Sequence, residues 1–66
     1  MQIYCNGQAR EISPDTSLQG LLDELRLEPD SVVAEINKQI IERNQYEQII
    51  LADQDQVELI RFVGGG

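Results

Sequence analysis

The residues best placed to do chemistry are the last ones, Val63-Gly64-Gly65-Gly66. Glycine has no Cβ and little backbone preference, so three in a row neither pack nor order cheaply. Read as the C-terminus, Gly66 offers a free carboxylate on a thin, flexible stem. Four extended residues reach roughly 13 Å at about 3.3 Å each. Such a stem could thread into a narrow active site that a larger side chain would block, with the carboxylate as the reactant. The same glycines are also what a frayed end or a cloning remnant looks like. The tail alone leaves both readings open.

Other catalytic equipment is thin. The chain has no histidine to serve as general base, and Ser13, Thr16, Ser17 and Ser31 have no obvious activating partner. Its single cysteine, Cys5, lies in an apolar-alternating stretch and reads as a small buried hydrophobe. One cysteine excludes an internal disulfide and, without histidine, leaves almost no transition-metal ligands. No metal, phosphate or flavin site is identifiable, so no bound cofactor is expected. The lone thiol suggests a reducing, cytoplasmic setting.

Twelve acidic and five basic residues give a formal charge of −7. That field repels phosphate backbones and anionic lipid, so neither nucleic acid nor a membrane surface is an expected partner. It favours a basic protein surface instead. No stretch approaches the length of a membrane span, and 66 residues make one domain near the lower size for an unstapled apolar core.

The elements that must position the tail follow from the patterning. Met1 to Cys5 alternates as a strand with Ile3 and Cys5 inward, and Asn6-Gly7 predicts a type I′ hairpin turn into a second strand, Gln8 to Ile12. Ser13-Pro14-Asp15 breaks it. Thr16 and Gln19 fit a capping box, and Leu18, Leu21, Leu22 and Leu25 give a helix from about Ser17 to Arg26 a leucine face. Gly20 inside that helix is either closely packed or simply tolerated. Pro29-Asp30 closes the segment. Val32 to Ile36 is a third strand, Asn37-Lys38-Gln39 a turn, and Ile40-Ile41 the start of a short strand. Asn44 to Glu47 reads as a single-turn link, Ile49-Ile50-Leu51 as a buried apolar patch, and Asp53-Gln54-Asp55 as a polar turn. Val57 to Phe62 is the last strand and runs directly into the glycines.

One hairpin, one crossover helix and three further strands predict an α+β fold of β-grasp type, the ubiquitin-like roll. One mixed sheet packs on one main helix, with the first and last strands parallel at its centre. The domain is expected over 1–63, with the glycine tail over 64–66. On the last strand Val57 and Leu59 share one face, while Glu58, Ile60 and Phe62 share the other. If Val57 and Leu59 meet the helix, Ile60 and Phe62 form an exposed apolar patch beside the tail, suited to partner docking. Any strand carries such residues as ordinary β-formers, which is the plainer reading.

Taken together, these pieces resemble the ThiS-type sulfur carriers of thiamine biosynthesis. The likeness spans Met1-Gln2-Ile3, Asn6-Gly7, Thr16-Ser17-Leu18 with Leu21-Leu22, and Val33-Ala34-Glu35-Ile36-Asn37. It continues through Arg43 with Tyr46, Leu51 with Asp53-Gln54-Asp55-Gln56-Val57-Glu58, and the glycine end. Three positions depart from the family pattern: Glu42 stands where proline is usual, Tyr46 replaces tryptophan, and Gln54 fills a place often held by glycine.

The resemblance implies a carrier acted on by enzymes rather than an enzyme. A ThiF-type, E1-like adenylating enzyme would use ATP and Mg²⁺ to activate Gly66, the reactive terminus at the end of the Gly64-Gly65 stem. Sulfur from a cysteine desulfurase would convert it to a thiocarboxylate, which a ThiG-type thiazole synthase would consume. Ile60 and Phe62 would supply the docking contact, and Val63 would be the last anchored residue. The same tail chemistry would serve a carrier for molybdopterin or amino-acid biosynthesis. A ubiquitin-like protein modifier and an inert interaction module are the readings from other classes.

Overall fold

The computed structural model describes residues 1–62. Five strands, β1 (Gln2–Cys5), β2 (Gln8–Glu11), β3 (Val32–Ile36), β4 (Gln39–Ile41) and β5 (Gln56–Arg61), form one sheet in the order β2-β1-β5-β3-β4. β1 and β5 pair in parallel and the other neighbours are antiparallel, giving the mixed sheet and parallel central pair of a β-grasp fold. The Asn6-Gly7 turn has positive φ at both residues, 51° and 82°, as a type I′ hairpin requires. Asn37-Lys38 does the same at 51° and 71°. Gln39 therefore belongs to β4 rather than to the turn.

The helix α1 (Leu18–Glu24) is shorter than its leucine spacing suggests, and its cap lies one residue later. The Ser17 hydroxyl accepts from the Gly20 amide at 2.9 Å, whereas Thr16 donates back to the Ser13 carbonyl at 2.6 Å. Extended pairing of this segment with residues 49–51 displaces the start. The Leu18 amide donates to the Ile49 carbonyl and the Leu51 amide to that of Thr16. At the other end Arg26 takes φ 58°, and the Leu27 amide reaches the Leu22 carbonyl at 2.9 Å. This is a Schellman stop made without glycine. A methyl group at Gly20 would meet neighbours at 3.4 Å, an ordinary contact, so close packing does not require the glycine.

Ile3, Leu18, Leu21, Leu22 and Val57 are the largest fully buried side chains, and each contributes about 1.5–3 kcal/mol relative to an exposed one. Tyr46 is 3% exposed and belongs to the same buried cluster as Leu51. The 49–51 segment is only partly the buried patch expected: Leu51 is buried, but Ile50 is 54% exposed and forms a single bridge to Ser17. Cys5 is half-buried against the core. No described helix is long and apolar enough to cross a membrane.

Candidate functional site

β5 is the element that leads to the tail, and both flanking turns brace it. Past Val57, where its pairing with β1 ends, the Asn6 side chain takes the place of a neighbouring strand. Its Oδ1 accepts from the Leu59 amide at 2.9 Å and its Nδ2 donates to the Leu59 carbonyl at 3.3 Å. Asn37 acts similarly at the strand's start, accepting from the Gln56 amide and donating to Asp55 Oδ1, both at 3.0 Å. The sequence marks both asparagines as turn formers but carries no sign of the bracing. Their side chains point where only the folded neighbour makes sense of them.

The Asp53-Gln54-Asp55 turn ties β1 to β5. Asp53 Oδ1 accepts from the Gln2 amide at 2.9 Å, and the Gln54 amide donates to the Gln2 carbonyl. The Gln2 amide donating to its carboxylate, helped by the Gln54 side chain, holds the Asp53 carboxyl below the usual carboxylate range. Gln54 has φ 72°, which is why glycine suits this place better. Glu42 has φ −71°, the value proline would impose.

Alternation sorts the β5 side chains cleanly. Val57 and Leu59 face the helix and are buried, while Ile60 and Phe62 are 50% and 55% exposed. Register places Val33 opposite Ile60 and Ile40 opposite Glu35 on the same outer face. Ile40, 71% exposed, thus joins a patch that the sequence alone did not include it in. Glu35 and Glu58 stand directly opposite each other within this face. Two like charges so placed cost roughly 0.2–1 kcal/mol. Among the described residues neither is in an ion pair; the pairs present are Arg10 with Glu24, Arg43 with Asp30, and the terminal amine with Glu11.

On the opposite face a cleft is lined by Cys5, Arg10, Leu25, Leu27, Leu59 and Arg61. Arg61 is the only cation near the tail in sequence, and the fold brings Arg10 to the same cleft. Burial pushes the Cys5 thiol up from its usual range, against a smaller downward pull from Arg10. A thiol so placed is a poor nucleophile near neutrality. Among the described residues, no group of three or more histidine, cysteine, aspartate or glutamate side chains comes together that could hold a metal ion. Val63 and the Gly64-Gly65-Gly66 tail, with the expected boundary at 63, lie outside the described residues.

Three comparisons bear on this arrangement. The ThiS family profile matches residues 3–66. The sulfur carrier protein ThiS of Bacillus subtilis is 40% identical over 65 residues, covering 97% of this chain and 98% of that one. A thiazole synthase of Magnetococcus marinus is 38% identical over 66 residues, and this chain, matched in full, spans 20% of its length. Among solved structures, the thiamine biosynthesis protein ThiS from Geobacter metallireducens superposes over all of both chains with a TM-score of 0.85 at 28% identity.

Proposed function

The chain belongs to the ThiS family, sulfur carriers of thiamine biosynthesis rather than enzymes, and we propose that Gly66 is the atom-bearing end of that carriage. In this reading a ThiF-type adenylating enzyme docks the domain and draws the tail to ATP and Mg²⁺ bound in its own site. A Gly66 carboxylate oxygen attacks the α-phosphate, and pyrophosphate leaves. Carboxylate and triphosphate repel, so the partner supplies the cations that bring them together.

The terminal sulfur of a persulfide, supplied from cysteine by a desulfurase, then attacks the acyl carbon and AMP departs. A thiol reductant cleaves the resulting acyl disulfide and leaves the thiocarboxylate. Gly64 and Gly65 give the stem the width to enter a narrow channel and leave the carbonyl open to attack from either side. Ile60 and Phe62 provide the apolar contact that holds the domain while this happens, and Val63 joins that anchor to the tail.

The observation that supports this reading best is the family match itself, which runs through Gly66. The thiazole synthase relative supports a ThiG-type enzyme as the consumer. It carries a segment similar to this whole chain, and joining carrier and synthase makes transfer intramolecular. Exchange of labelled pyrophosphate into ATP by the adenylating enzyme tests the proposal. Exchange is expected with the intact chain and lost on deleting Gly66. Undiminished exchange without Gly66 would overturn it.

A further inference from the structure

The opposed glutamates on the outer face call for an explanation that the domain's own contacts do not provide. Glu35 and Glu58 are register partners on adjacent strands, so their Cβ atoms are about 5 Å apart. No described cation pairs with either one. Apolar side chains flank them on one side: Ile40 stands opposite Glu35, Val33 and Ile60 form the next outer pair along the strands, and Phe62 lies just past β5, while polar Asn37 and Gln56 continue the strands on the other side. A like-charged pair bordering an apolar patch weakens the free domain, yet it is complementary to a cation brought by another surface.

We propose that the outer sheet face receives a partner surface presenting one cationic side chain, which sits between Glu35 and Glu58 while apolar side chains cover Ile40, Ile60 and Phe62. An arginine fits best, because its planar fork offers donors to two carboxylates at once. Docking strips water from the patch, and a charge pair closed off in this way is stronger than one left at a wet rim. This rests on the docking of the adenylating enzyme proposed above and adds the element that selects it. The chain's overall charge of −7 attracts many basic surfaces. A cation placed between these two carboxylates, at the edge of an apolar patch, discriminates among them.

The test measures two quantities on the same variants. Glu58→Gln and Glu35→Gln should leave the thermal midpoint unchanged or higher, because each removes the repulsion. Each should also weaken binding to the ThiF-type adenylating enzyme about tenfold at low salt and flatten its dependence on ionic strength. Glu47→Gln, which removes an exposed charge outside the patch, should do neither. Ile60→Asp should abolish most of the binding. Unchanged affinity for both glutamine variants, with binding still lost in Ile60→Asp, would overturn the cation proposal while leaving the docking face standing. Unchanged affinity for all of them would overturn both. A lowered thermal midpoint in Glu58→Gln would show that the domain itself holds the carboxylates, and would also overturn the proposal.

Discussion

The two faces of β5 carry similar apolar side chains to opposite fates. On the helix side Val57 and Leu59 are 1% and 7% exposed, whereas on the outer side Ile60 and Phe62 are half in water. Side chains one residue apart in the same strand thus serve different ends. The inner set stabilises the domain, and the outer set is free to be covered by something else. Stability and recognition are separated by strand alternation alone, which lets each be changed without the other.

The largest effect should come from cutting the inner face. Leu21→Ala removes a fully buried leucine and should cost about 2–5 kcal/mol in denaturant unfolding, a large share of what a domain this small possesses. A loss well under 1 kcal/mol would mean that the helix contact is not what holds the sheet. The outer face should behave in the opposite way. Ile60→Asp should cost no more than about 1 kcal/mol of unfolding free energy, well under the Leu21→Ala loss, yet weaken adenylating-enzyme binding at least about tenfold in a titration. Equal losses of stability and affinity would erase the distinction between the faces.

Two smaller effects concern the turn that fixes β5 against β1. Gln54→Gly should stabilise the domain by about 0.5–1 kcal/mol. Relief of a left-handed residue is worth roughly 1–2 kcal/mol, and the added freedom of the unfolded chain offsets part of it. A loss on thermal unfolding would show that the Gln54 side chain matters more than its backbone. Asp53 has a folded pKa below its unfolded value, so its contribution is present above the ordinary carboxylate range. It is lost as pH falls through that range toward the depressed value. The acid limb of a stability–pH curve should therefore be shallower in Asp53→Asn than in the parent, and identical limbs would refute the assignment.

Much of this arrangement was legible in the residues. Asn6-Gly7, the leucine spacing and the alternation of Val57 to Phe62 were enough for the fold class, the parallel central strands and the exposure of Ile60 and Phe62. The rest was hidden for identifiable reasons. Thr16 and Ser17 are both competent caps, and only pairing with residues 49–51 decides between them. Arg26 and Lys38 adopt positive φ without being glycine, so no residue type announces those turns. The bracing by Asn6 and the opposition of Glu35 to Glu58 depend on register between strands far apart in sequence. Ile40 joins the outer patch for the same reason.

Carriage of sulfur on Gly66 is open to a direct check by intact-mass measurement. The chain would be incubated with the adenylating enzyme, ATP and a desulfurase with cysteine, then fragmented to place any added mass. Oxidation of Cys5 or Met1 adds nearly the same mass as replacing oxygen by sulfur, so location and ATP dependence decide the outcome. A gain at Gly66 that appears only with ATP is expected. A gain confined to Cys5 or Met1, or no gain from an adenylating enzyme active on another carrier, would contradict it.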